Sequence, residues 1–149
     1  MAQTKSTINR PFFPQADSLT RVIATVAAAR TTNSVSDIAA TFGITGRQLR
    51  YYADAAAYMG LAVRLGSVIT PTASGTRIAG YKSERSRLKA ISAILETRPV
   101  FGRAIKALRA GKPPARLAVA GWIQRNTKLA PVTAMRRAAT VQSWTAAVA

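Results

Sequence analysis

The sequence predicts a mainly α-helical protein with one small β-hairpin, built from two tandem helical units. Three observations carry this expectation. Apolar residues recur at helical spacing along most of the chain, several of the runs preceded by a Ser, Thr or Asp suited to capping. The period changes once, where Leu61-Ala62-Val63-Arg64-Leu65 and Ser67-Val68-Ile69-Thr70 flank Gly66 as the two arms of a hairpin. A shift of about 86 residues also lays Leu49-Arg50 over Met135-Arg136, Ala53 over Ala139 and Tyr58 over Trp144, the mark of an internal repeat.

Residues 1–16 read as a polar arm with Lys5 and Arg10, closed by Pro11 and Pro14 and anchored by Phe12 and Phe13. Asp17 or Ser18 caps a first helix whose apolar face is Leu19, Val22, Ile23, Val26 and Ala27. Ser36 is expected to cap a short helix with Ile38, Ala39 and Phe42, stopped at Gly43. Thr45 with Gln48 three residues on is a capping box. It opens a longer helix to about Met59, with Leu49, Tyr52, Ala53, Ala56 and Met59 inward and Arg47, Gln48, Arg50, Tyr51 and Asp54 outward. A short helix, a tight turn and a longer helix make a helix-turn-helix. The hairpin that follows would turn the first unit, residues 17–80, into a winged helix.

Residues 72–79 give one more short helix, and the seam between units falls near residues 80–83. In the second unit, residues 81–149, Ser83 caps a helix over 83–97 with Leu88, Ile91 and Ile94 or Leu95 in its stripe. A helix over 100–110 turns Phe101, Ile105 and Leu108 inward and Arg103, Lys106 and Arg109 outward. Gly111-Lys112-Pro113-Pro114 is a rigid turn. A helix over 115–125 is expected to use Leu117, Ala118, Gly121 and Trp122. Residues 126–131 form a loop, and the last helix starts at Val132 or Thr133. No second hairpin is apparent, so this unit is a helix-turn-helix with no wing or a trimmed one.

Charge limits the function more sharply than the pattern does. The chain has 22 Lys and Arg against 5 Asp and Glu, a formal net charge of +17. From Arg98 onward there are ten basic residues and no acid, so that stretch cannot neutralise itself and carries a positive field suited to a polyanion. The absence of Cys and His excludes disulfides, thiolate sites and the commonest metal ligand and general base. The five acids form no clustered pattern for holding Mg²⁺ during phosphodiester cleavage. No cofactor, metal or catalytic role is therefore expected. The polar start and short apolar runs give no signal peptide and no membrane span, which points to a soluble cytoplasmic protein, bacterial or phage, associated with the nucleoid.

A recognition helix enters the major groove with its N-terminal half. The expected DNA contacts are accordingly Thr45, Arg47, Gln48, Arg50 and Tyr51 in the first unit and Thr133, Arg136 and Arg137 in the second. Arg can take guanine O6 and N7 together, and Gln adenine N6 and N7. Arg64 on the wing and Lys128 in the loop are read as phosphate contacts. Trp122, Trp144, Tyr52 and Tyr58 are read as core anchors.

Two stretches extend this reading. Gly46-Arg47-Gln48-Leu49-Arg50-Tyr51-Tyr52-Ala53-Asp54-Ala55-Ala56-Ala57-Tyr58-Met59-Gly60-Leu61 and Thr133-Ala134-Met135-Arg136-Arg137-Ala138-Ala139-Thr140-Val141-Gln142-Ser143-Trp144 resemble the tandem winged-helix module of bacterial restriction–modification proteins. The resemblance covers most of residues 34–144 and implies a DNA-reading module of the kind attached to a nuclease or ATPase domain. No such domain lies in this chain. The partners it implies are double-stranded DNA and a separate nuclease, methyltransferase or ATPase subunit. A transcriptional repressor or phage regulator of the same fold, and a non-specific basic nucleic-acid-binding protein, are the alternative functions.

Overall fold

In a computed structural model, which describes residues 13–16 and 18–149, eight helices and one antiparallel hairpin account for most of the chain. Most of the expected arm, with Lys5, Arg10 and Phe12, lies outside the described residues, as does Asp17.

Helix α1 (Leu19–Ala28) is capped by Ser18, whose side chain accepts from the Arg21 amide at 3.2 Å. Helix α2 (Val35–Phe42) is capped by Ser34 rather than by Ser36, and ends at Gly43, where φ of 69° needs a residue without a Cβ. The shift in cap has a tertiary cause. Val35 N–H donates to Ser67 O at 2.9 Å, Ile69 N–H donates to Asn33 O at 2.9 Å, and Ser34 bridges Val68. The backbone entering α2 is therefore held extended against the hairpin, as an N-cap residue must be.

Helix α3 (Gly46–Tyr58) opens on the expected capping box and buries Leu49, Tyr52, Ala53, Ala55 and Ala56. Strands β1 (Ala62–Leu65) and β2 (Val68–Pro71) pair with Leu65 opposite Val68 and Val63 opposite Thr70, around a two-residue turn whose first position, Gly66, has φ of 62°. Helix α4 (Ala73–Ala79) is capped by Thr72.

Helices α5 (Glu84–Leu95), α6 (Pro99–Arg109), α7 (Arg116–Asn126) and α8 (Pro131–Val148) complete the chain. Both Pro99 and Pro131 lie in first turns, where a missing N–H costs nothing. Helix α8 thus begins inside the expected loop. Helix α7 is rotated from expectation. It buries Val119, Ala120 and Ile123 and leaves Leu117 75% exposed. Trp122 is half-buried, and the Arg103 guanidinium lies 4.2 Å from its ring centre.

The buried side chains form one continuous cluster that runs through residues on both sides of positions 80–83. At its centre is an aromatic group. Phe13 stacks on Phe101 at 5.2 Å between centroids, Phe101 stacks on Trp144 at 5.2 Å, and Tyr58 tilts against both Phe13 and Phe101. Residues 13–16, α3, α6 and α8 meet there.

The two stretches paired by the sequence echo share part of their burial one residue out of register, although Tyr52 is buried where Arg137 is half-buried and Thr145 is buried where Gly60 is exposed. Leu49, Ala53, Ala55, Ala56 and Met59 are buried on α3 and its end, and Ala134, Ala138, Thr140, Val141 and Trp144 are buried at the same spacing on α8. Burial therefore pairs Leu49 with Ala134 and Tyr51 with Arg136, not Leu49 with the half-buried Met135.

Burial pushes the Tyr58 phenol up to about 12 from 10.0, against the opposing pull of Arg98, which lies over its ring. The neutral form is the one the folded state favours. The stability this contributes is present below pH 10 and is lost as pH rises towards 12. Absorbance titration of tyrosine should show a late-ionising phase with a midpoint near 12 that disappears in Tyr58→Phe. Persistence of that phase in the variant would assign it elsewhere.

Candidate nucleic-acid interface

The exposed side of α3 is built from its first two turns, and the cap decides what those turns can offer. Thr45 Oγ1 accepts from the Gln48 amide at 3.1 Å, and the Thr45 amide donates to Gln48 Oε1 at 3.0 Å. Gln48 is thus only half available. A bidentate grip on adenine needs both the oxygen and the nitrogen of its amide, and the oxygen holds the helix start. Arg47 and Arg50 are exposed, while Tyr51 is half-buried. Arg47 Nε donates to Tyr51 Oη at 3.4 Å, a long bond that turns both side chains to one side of the helix. Arg50 faces elsewhere, into a groove shared with α2 and the hairpin tip at Ser67.

Arg64 departs from the expected phosphate contact. Its Nε and Nη2 hold Asp54 Oδ1 and Oδ2 at 2.7 and 3.0 Å, and Nη1 donates to Gly66 O at 2.7 Å. This fork-to-fork pair clamps the hairpin onto α3. The guanidinium that seemed free on the wing is a brace, and Asp54, expected outward, is its partner. The hairpin's other face is left apolar, with Val63, Leu65 and Val68 exposed.

In the second half, Lys128 is exposed in the loop before α8, and Thr133 is half-buried in the first turn of α8. Arg136 is exposed. Arg137 is not a surface contact of the kind expected. It is half-buried and donates through Nη1 to Gln15 Oε1, and its Nε is buried without a hydrogen-bond partner among the described residues. Burial lowers its pKa below the usual guanidinium value; the Tyr51 phenol opposes that and the neighbouring Arg136 adds to it. The group stays charged. It holds residues 13–16 to α8, a task that Trp144 shares by donating from Nε1 to Ala16 O at 3.1 Å.

These positions converge. Gln48 and Tyr51 from α3 and Arg136 from α8 line one cleft of about 510 Å³. Gln15, Ala16, Tyr52, Ala139, Thr140 and Ser143 complete it. Tyr52 is expected in the core, and nothing in the local sequence pattern singles out Gln15, Ala139, Thr140 or Ser143 as site residues. Thr45, Arg50, Arg64, Lys128 and Thr133 do not line the cleft. Among the described residues no acid lines it either. Of the described acids, Asp54 is paired with Arg64 and Glu96 with Arg109 at 3.3 Å, while Asp37 and Glu84 sit in the first turns of α2 and α5. Among the described residues no three groups able to hold a metal come together, and no helix is long and apolar enough to cross a membrane.

Fold and site together define a strongly basic, mainly helical protein in which a hairpin-braced helix and the last helix line one cleft with no acid among its described residues. The chain belongs to the family described as a domain of unknown function (DUF7226), which matches residues 21–148. No curated protein and no solved structure matches it.

Proposed function

We propose that this protein is a non-catalytic, sequence-specific binder of double-stranded DNA. In this reading it consists of two tandem helix-turn-helix units, the first of them winged. It serves as the DNA-recognition part of a restriction–modification or other defence system whose nuclease, methyltransferase or ATPase is a separate subunit. One observation carries the proposal: Arg47, Gln48 and Tyr51 from α3 and Arg136 from α8 gather on one surface with no carboxylate among them. Cations left uncompensated in this way favour a polyanion. The order of elements from α1 to β2, with residues 33–35 bridged to the hairpin, supports the winged-helix reading of the first unit.

A major groove about 12 Å wide admits one helix. Helix α3, with Arg47 and Arg50 exposed in its first two turns, is the one that enters. Helix α8 lines the same cleft, so Arg136 reaches the bounding phosphates, with Lys128 nearby in the chain.

Selection from a random duplex pool should yield a footprint of one to two helical turns. Arg47→Ala should cost ~1–3 kcal/mol and relax preference at particular bases, whereas Arg136→Ala should weaken all sequences alike and reduce the salt slope by about one. Failure to select any sequence over bulk DNA at about 0.15 M salt would overturn the proposal. Equal weakening of all duplexes by Arg47→Ala would remove direct readout from it.

A further inference from the structure

The cleft between α3, α8 and residues 13–16 carries two amides whose donor ends are left over, beside the hydroxyls of Tyr51, Tyr52, Thr140 and Ser143. Gln48 and Gln15 both line it, and each carries one acceptor and one two-proton donor at its tip. Gln48 Oε1 is taken by the Thr45 amide, and Gln15 Oε1 by the Arg137 guanidinium. Both partners can only donate, so the oxygens must face them and the amide nitrogens are the ends left for a ligand. Arg136 adds a third donor group, and no carboxylate among the described residues lines the walls. Tyr51 and Tyr52 form an aromatic wall. The volume of about 510 Å³ falls within the roughly 300–1,000 Å³ usual for small-molecule sites. A bare anion would leave the aromatic wall unused, and a base inside an intact duplex has its faces covered by its neighbours.

We infer that the cleft holds a single nucleotide, its base against Tyr51 and Tyr52, its acceptor edge on the Gln15 and Gln48 amides and its phosphate at Arg136. Guanine fits best, because O6 and N7 put two acceptors side by side, whereas adenine sets a donor beside N7. The nucleotide is either one drawn out of bound DNA or a free one. Only the first source rests on the duplex-binding reading above.

Two arms separate the sources. In the first, 2-aminopurine is placed beside each guanine of the selected duplex, and its fluorescence should rise about fivefold at one position as its neighbour unstacks. In the second, 5′-GMP and 5′-AMP are titrated calorimetrically, and GMP should bind about tenfold more tightly. Ala139→Leu fills the cleft from its wall with a strong helix former. It should abolish either signal while the footprint stays. Gln48→Glu keeps an acceptor for the Thr45 amide but replaces the donor in the cleft, and should abolish GMP binding even if the leucine variant does not fold. A fluorescence rise lost in Ala139→Leu supports the inference with DNA as the source. Saturable GMP binding lost in both variants supports it with the free nucleotide as the source. Neither signal, or a signal unchanged in both variants, overturns it whether or not the footprint is present. Loss of the footprint alone counts against the duplex reading and leaves the GMP arm to decide the cleft.

Discussion

Trp144→Ala is expected to remove ~3–5 kcal/mol of stability, the usual cost of deleting a fully buried large aromatic side chain. Trp144 is 0% exposed. Its ring stacks on Phe101, which stacks on Phe13, and its indole N–H satisfies the buried Ala16 carbonyl. Truncation opens a cavity at the junction of α6, α8 and residues 13–16 and leaves that carbonyl without its donor. Few domains hold more than ~5–15 kcal/mol in all, and a net charge of +17 works against compactness here. Trp144→Phe keeps a ring in the stack and loses the hydrogen bond, so it should cost only ~1–2 kcal/mol. Denaturant midpoints at constant slope measure both. Equal costs for the two variants would mean that the stack contributes little. The damage should extend to the cleft, since residues 15 and 16 line it and the Trp144 bond helps hold them to α8.

How much of this was legible in the sequence depends on how local each cause is. The Thr45–Gln48 box, the Ser83 cap and the Gly66 turn lie within four residues of the feature they create, and each is present as the pattern suggests. The cap of α2 is different. Ser34 and Ser36 are equally good caps by type, and the choice falls to a bridge with Val68 that local pattern does not contain. The face of α7 was misread because its apolar residues go all the way round. Leu117 competes with Val119 and Ile123, and packing against α8 decides between them. Pro131 was read as loop, although proline is as much at home in a first helical turn.

The candidate site divides in the same way. The exposed residues of α3 could be read from one helix. Arg64 could not be read from its own strand. A signal did exist, since Asp54 is one of only five acids and lies ten positions upstream on the helix that leads into the hairpin. Nothing local links Gln15 to Arg137, which are 122 residues apart, so neither the cleft nor the half-burial of Arg137 was visible.

Gly75→Ala should destabilise by ~3 kcal/mol, at the upper end of the usual cost of overpacking, although the same change in an isolated helix would favour folding by about 1 kcal/mol. A Cβ on Gly75 would lie 1.8 Å from Leu61 O and 2.8 Å from Leu61 C. Backbone, not a yielding side chain, is in the way. The cap of α4 is fixed on that segment by two bonds, Thr72 N–H donating to Leu61 O at 3.0 Å and Thr72 Oγ1 to Gly60 O at 2.7 Å, and the Gly75 amide ties the first turn to the cap by donating to Thr72 Oγ1 at 3.0 Å. A methyl group must therefore push α4 off the chain that joins α3 to β1. The hairpin then shifts with it, and the Arg64–Asp54 clamp loses its geometry. Hydrogen exchange at β1 and β2 should accelerate along with the fall in the denaturant midpoint. Gly121, inside α7, is the matching control. Its added Cβ would meet only the flexible end of Arg125 at 3.7 Å, so Gly121→Ala should stabilise by about 0.5–1 kcal/mol. Opposite signs for one substitution at two helical glycines isolate the Leu61 contact as the cause. Like signs would show that α4 can move aside and that the hairpin is not held through it.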